Sequence, residues 1–302
     1  MVGEEKIGKG LNMGAKNHQQ KWQRMAKLWE EFTEPGRPSK DDISHYNALT
    51  KIALKSVKNP KIILLGCTPE IRDMLYKYSV SLGAEVICVD MVEDMYKSMN
   101  RLIKYHNKKE RFVKSNWINL KFPKNSIDIV IGDFVLSNVD NEFQAKFLQG
   151  INRILKNDGY FINRDCVIKD NLRFNTPDRM LKKYAKKVAD KEITIKQANS
   201  WFANSILWAS WFKSNNETDS LKYFKEEIEK LKKEVDMGTI EKIIFNKFLS
   251  SWWLMRDKYW TMHRLEDNKR IIKKYFKIER IKYSKDYDLA KVAPIYFLKP
   301  KN

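Results

Sequence analysis

Cysteine is scarce in this chain. Its three cysteines, Cys67, Cys88 and Cys166, stand apart without metal-type spacing. That excludes a disulfide framework and a structural zinc site, and it fits a reducing compartment. Long apolar runs are missing too. The nearest, Trp201 to Phe212, is interrupted by Asn204 and Ser210 and falls short of the roughly 20 apolar residues a spanning helix needs. Met1 to Gly14 is polar and Gly/Lys-rich, unlike a secretory signal, so a soluble, cytoplasmic protein is expected. Glycine is sparse, and no Gly-x-Gly-x-x-Gly turn occurs among the 11 glycines, which sets aside a nicotinamide-dependent reductase.

What remains is ample for a packed core. Of 302 residues, 43% are hydrophobic and 12% aromatic, enough apolar surface to offset the entropy of folding. The length suits one large α/β domain carrying an insertion. The net charge of +20 admits a nucleic-acid surface, since Lys and Arg neutralise phosphates. The basic residues are, however, mostly scattered lysines among many Asn and Ile, with no arginine-rich tract or recognisable RNA-binding motif. A small-molecule or lipid-like partner is therefore expected in preference to nucleic acid.

Along the chain, residues 17 to 33 place Trp22, Met25, Leu28, Trp29 and Phe32 at helical spacing before a Pro35-Gly36-Arg37-Pro38 break. Ser39 and the acidic Asp41-Asp42 then open a second helix through about Ser56. From Lys61 the texture becomes short apolar runs alternating with helical patterns, the signature of a parallel sheet. Strands are predicted over Ile62–Gly66, Glu85–Val89, Arg111–Lys114, Ile127–Ile131 and Tyr160–Asn163, with helices at about 69–82, 92–106 and 140–155. Phe276–Tyr283 and Pro294–Leu298 are joined too closely for a crossover helix, so they form an antiparallel closing hairpin.

The fold class expected is α/β: a doubly wound, seven-stranded Rossmann-like sheet with N-terminal helices and a large helical insertion before the sixth strand. Residues 1–56 are read as tail and lid helices, 57–168 as the core, 169–262 as the insertion, and 263–302 as a helix plus the closing hairpin. Within the insertion, Leu221, Phe224, Ile228, Leu231 and Val235 make one surface-helix stripe. Two further stripes are rich in aromatics: Trp201, Phe202, Trp208, Trp211 and Phe212, then Phe245, Phe248, Trp252, Trp253, Tyr259 and Trp260. These read as the core of a helical cap, as a substrate pocket, or as a membrane-facing surface.

Ligands of doubly wound sheets bind at the carboxyl ends of the strands. After the first strand, Gly66-Cys67-Thr68-Pro69-Glu70 offers a close backbone approach, a helix cap and free amides for an anionic group. After the second, Asp90-Met91 places an acid where it can accept both hydroxyls of a ribose. After the third, Asn116 can pair with an adenine edge and Trp117 can stack on it. After the fourth, Asp133 stands in the crevice, followed by Ser137 and Asn138.

These strand ends, with Ile151 to Ile162 as helix, glycine turn and fifth strand, resemble the class I S-adenosylmethionine-dependent methyltransferase family over roughly Ile62 to Asn163 plus the hairpin. The usual glycine-rich signature carries further glycines and a preceding acid. Here a single Gly66 and Gly-x-Thr-Pro-Glu stand in its place, as in a divergent branch, with Glu70 or Arg72 as the compensating charge. The resemblance implies S-adenosylmethionine as cofactor, with Gly66, Cys67 and Thr68 under its methionine part. Asp90 and Met91 would lie at its ribose, Asn116 and Trp117 at adenine, and Asp133 near its amine or methyl. The sulfonium is already activated, so the protein need only exclude water and align the acceptor. If the acceptor carries a proton, Asp133 and then His263 are the candidate bases. Trp29, Tyr46, Asn138, Trp208 and Trp253 are the expected substrate contacts, and no metal is implied. An RNA or protein acceptor, or a non-catalytic cofactor-binding role, are the competing expectations.

Overall fold

The computed structural model describes residues 20–214, 217–234, 236–258 and 260–301. The stretch Met1 to Gly14, Val235 and Tyr259, all invoked above, lie outside them. Helix α1 spans 20–28 and runs into a 3-10 turn, Trp29–Glu31. Helix α2, Lys40–Ala53, starts at the predicted Ser39, whose hydroxyl accepts from the Asp42 amide while the Asp42 carboxylate accepts from the Ser39 amide. This reciprocal cap satisfies two of the helix's otherwise unpaired donors.

The core alternates β1 (Lys61–Leu65), α3 (Pro69–Leu82), β2 (Glu85–Asp90), α4 (Glu93–Met99), β3 (Glu110–Lys114), β4 (Ile127–Asp133), α5 (Asn141–Ile154) and β5 (Leu155–Arg164). A short β6, Val167–Ile168, leads into the insertion. That insertion comprises α6 (Pro177–Ala189), α7 (Ile195–Lys213), α8 (Glu217–Glu234) and α9 (Thr239–Ser250). The chain returns through β7 (His263–Arg264), α10 (Leu265–Lys273), β8 (Phe276–Lys282) and β9 (Ile295–Pro300).

The seven-stranded sheet has the order β3-β2-β1-β4-β5-β9-β8. Its first five strands are parallel, while β9 lies antiparallel between β5 and β8. This is the expected parallel sheet with its closing hairpin. The strand order reverses beside β1, so the crevice lies over the carboxyl ends of β1, β2 and β4.

Both faces of the sheet are covered. Ile62 and Leu64 of β1 pack with α2, α3 and the insertion, whereas Ile63 and Leu65 pack with Phe147 of α5 and Ile272 of α10. With both faces buried, the strands lose polar alternation and read as continuous apolar runs. In α8, Phe224, Ile228 and Leu231 are buried as their spacing predicts.

The elements depart from the predicted ones in two places. The predicted helix over 92–106 ends at Met99. There the Arg72 guanidinium donates to the Asn100 side chain at 2.6 Å, and Asp73 accepts from the amides of Lys104 and Tyr105, diverting the chain. Secondly, β6 pairs in parallel with β7, Val167 opposite His263, a pairing across the whole insertion that no local pattern announces.

Candidate functional site

The strand tips bring one group of predicted residues together. Gly66 ends β1 with φ +87°, a left-handed conformation that strains any side-chain-bearing residue. A Cβ built there would meet Trp117 at 3.8 Å and Asp90 Oδ2 at 4.0 Å. Gly66, Asp90 and Trp117 thus wall a small cradle, tied by Gly66 N and Trp117 Nε1, both of which donate to the Val89 carbonyl, at 2.8 and 2.7 Å. Asp90 is buried, its Oδ1 accepting from the Val92 amide at 2.8 Å. Burial pushes its carboxyl up to about 7, against the opposing pull of the Val92 and Met91 amides.

Cys67 is buried beside Cys88, and burial raises its thiol, with Cys88 adding to the effect. It is therefore an inert wall rather than a nucleophile. Thr68 precedes α3, with Pro69 in its first turn as predicted, yet its hydroxyl makes no capping bond. Asn116 is exposed, and its Oδ1 accepts from the Ile118 amide. A local cap thus engages the amide expected at adenine.

Of the two compensating charges considered for the missing acid, Arg72 turns away to a bidentate pair with Glu110. Glu70 stays at the start of α3. Its Oε1 accepts from Arg37 Nε at 2.8 Å, while its Oε2 is buried without a partner among the described residues. An acceptor left orphaned costs desolvation energy unless a ligand supplies a donor.

Asp133 is held from behind. Arg164 Nε and Nη2 donate to its two oxygens at 2.6 and 3.0 Å, the bidentate geometry that suits a guanidinium and carboxylate. The same guanidinium donates to Asp42 and, at 2.8 Å, to the Pro35 carbonyl, and it stacks 4.3 Å from the Phe134 ring centre. Tyr46 donates to the Gly132 carbonyl at 2.7 Å and accepts from the Arg164 amide at 3.0 Å. Burial pushes Asp133 up, with Arg164 opposing it. For Arg164, burial works against the charge, but Asp133 and Asp42 hold it protonated well above the ordinary range.

This network explains two backbone features. Gly132 has no room for a Cβ, which would come within 2.5 Å of Val135 and 2.8 Å of Asn163. Phe134 sits at φ +55°, a rare conformation for an aromatic residue that tends to persist at functional sites.

A narrow cleft opens beyond these tips. Gly36, Thr68, Asp133 and Asn138 line it with Trp22, Trp29, Trp208, Trp252 and Trp260. Of the expected substrate contacts, Trp29, Asn138 and Trp208 thus face one space. Tyr46 is instead fully buried beneath Asp133, where its hydroxyl orders the network. Trp253 packs on Phe224 and Phe248 at 6.0 and 6.2 Å, under the Lys232 ammonium, and is not among the cleft's lining. His263 is bonded to Gln144 at 2.8 Å, and burial lowers its pKa, so its ring serves the packing of β7 on α5. Among the described residues no His, Cys, Asp and Glu side chains cluster as a metal site. No described helix is long and apolar enough to cross a membrane.

Residues 65–163, about a third of the chain, match the family model of the methyltransferase domain. Those residues carry a methyltransferase-domain fold. Among solved structures, a Rhodobacter sphaeroides protein described with the Zn-dependent alcohol dehydrogenases aligns with a TM-score of 0.55 at 14% identity, covering 94% of this chain and 98% of its own. A chain from the Haloferax volcanii complex of the Trm112 methyltransferase activator with a methyltransferase gives 0.47 at 11%, covering 95% and 97%. The N-methyltransferase NodS of Bradyrhizobium japonicum, bound to S-adenosylhomocysteine, gives 0.45 at 7%, covering 87% and 89%. At such identities a structural match speaks for the fold alone. No curated protein matches the chain.

Replacing Gly66 by alanine should distort the β1 turn, because its φ is forbidding to a Cβ. We expect a stability loss of about 1–2 kcal/mol by chemical denaturation, together with weaker binding of S-adenosylhomocysteine.

Proposed function

We propose that the chain binds S-adenosylmethionine across the tips of β1, β2 and β4 and passes its methyl group to a small or lipid-like acceptor in the tryptophan-lined cleft. The observation that carries this reading is a pair of features, one at the tip of β1 and one at the start of α3. At the first, Gly66, Asp90 and Trp117 leave a cradle that a Cβ would only begin to fill. At the second, the buried Oε2 of Glu70 lacks a donor among the described residues. A ribose with two hydroxyls suits the first, and an α-ammonium suits the second.

Asp90 would hold the sugar, Trp117 the base, and Glu70 the amine, with the α3 start below the carboxylate. The cofactor supplies an activated methyl group. The residues of this chain exclude water, through the indoles around the cleft, and fix the acceptor. With both oxygens of Asp133 committed to Arg164, its part is to shape the floor of the crevice rather than to collect a proton. An enclosed cleft of indoles suits a small flat or greasy molecule better than a polymer.

Isothermal titration with S-adenosylhomocysteine tests the reading: micromolar binding is expected, and no binding at millimolar ligand would end it. Glu70→Gln should weaken that binding about tenfold, since an ionised acceptor is exchanged for a neutral group at an ammonium. Arg37 keeps its bond to the remaining oxygen, so stability should be little changed.

A further inference from the structure

One side chain in this region is used by none of the foregoing. Lys258 is 3% exposed, in the chain between the insertion and β7. Its Nζ donates to Asn138 Oδ1 at 2.6 Å and lies 3.4 Å from the ring centre of Trp260 and 4.9 Å from that of Trp22. Asn138, Trp22 and Trp260 all line the main cleft. Lys258 itself lines a second, small cavity that shares Leu207, Trp252 and Trp260 with the first. The amine therefore stands in the partition between two adjoining apolar spaces.

Its placement is held by the strand tips. Asn138 closes the 3-10 turn that follows β4, and the Thr261 amide donates to the Ser137 carbonyl of the same turn at 2.9 Å. The segment bearing Lys258 is thereby docked onto the end of β4, where the crevice ends and the cleft begins.

We propose that Lys258 is the base and anion anchor for the methyl acceptor, and that the acceptor is a flat aromatic molecule carrying an acidic, phenol-type hydroxyl. This deepens the proposed function and rests on it. The indoles of the cleft supply faces for a planar ring. A basic group in the wall beside the cleft, bonded to Asn138 of its lining, favours an acceptor that becomes an anion. The acceptor hydroxyl gives its proton to the neutral amine; the oxygen keeps the electron pair, and the ammonium formed holds the phenolate. Burial pulls the lysine well below its ordinary range, and Lys21 adds to this, while Cys166 and Asp140 oppose it; the direction favours the neutral amine that a base must be. Asn138, as partner of Nζ, aims it.

The test uses the full chain with S-adenosylhomocysteine bound and 4-nitrophenol as probe, at a pH below the probe's own pKa. Bound probe is expected to show the phenolate absorption band. The Lys258→Met variant should lose that band and bind the probe at least tenfold more weakly, while its affinity for S-adenosylhomocysteine stays the same, which also certifies its fold. Phenyltrimethylammonium, a cation of similar shape, should bind at least tenfold more weakly than 4-nitrophenol. Normal S-adenosylhomocysteine binding, with the probe unbound, bound only as the neutral phenol, or bound alike by the variant, would overturn the assignment of Lys258 alone. Failure of S-adenosylhomocysteine itself to bind would overturn both the proposed function and this assignment.

Discussion

Arg164→Met is expected to be among the most destabilising single substitutions in this chain, lowering the free energy of unfolding by about 3–5 kcal/mol. Arg164 is fully buried, and its guanidinium is shared by Asp133, Asp42, the Pro35 carbonyl and the Tyr287 hydroxyl. A methionine fills much of the space but leaves two buried carboxylates without their cation. Asp133, already pushed up by burial, responds by protonating, so its pKa in the variant moves further above the ordinary carboxylate range. A carboxyl raised in the folded state favours folding below its unfolded pKa and loses that benefit as pH rises through the folded value. The deficit of Arg164→Met should therefore be largest near pH 8 and narrow towards pH 5, read from urea midpoints. Adding Asp42→Asn and Asp133→Asn should recover part of the loss at pH 8. A deficit independent of pH, or one that the added substitutions deepen, would show that packing rather than charge holds this corner.

That corner was invisible in the sequence for a physical reason. Arg164 follows an apolar strand, and Asp42 reads locally as an acidic residue capping a helix, which it also is. The bond between them spans 122 positions, and no pattern with a period of two or 3.6 residues encodes it. The inner parallel strands β1, β2 and β4 were legible because each is buried on both faces and so reads as a run of β-branched and aliphatic residues, whereas the edge strand β3 is only half-buried. Gly66, Asp90 and Trp117 were legible because strand tips are the places where a doubly wound sheet leaves side chains free.

Asn116 went astray through competition: a short amide beside a 3-10 turn finds its own backbone before a ligand can. The tryptophan stripes divided in a way that spacing alone could not foretell. Trp29, Trp208, Trp252 and Trp260 reach the cleft, whereas Trp253, adjacent to one of them, packs among phenylalanines. Lys258 did leave a signal, one of two basic residues, with Arg256, within an aromatic run from Trp252 to Trp260. Only the docking of that run against β4 makes it readable.

Asp90→Asn is expected to weaken S-adenosylhomocysteine binding about 100-fold at pH 8, because hydrogen bonds to an ionised acceptor contribute roughly 1.5–3 kcal/mol. The pH dependence is the sharper part. In the free protein burial holds the Asp90 carboxyl at about 7, and the ionised form is the one that accepts from two hydroxyls. Wild-type affinity should thus rise about tenfold between pH 6 and pH 8, whereas Asp90→Asn should lack that component of the slope. The same burial makes the opposite prediction for stability. With a folded value of about 7 against an ordinary carboxylate value of 3.8, Asp90 favours folding below about pH 4 and ceases to do so as the pH passes 7. The variant keeps the Oδ1 that accepts from Val92, so without ligand it should melt above wild type at pH 8 and level with it at pH 4. A residue that costs stability at the pH where it is needed for binding is what a site selected for a ligand, rather than for the fold, would carry.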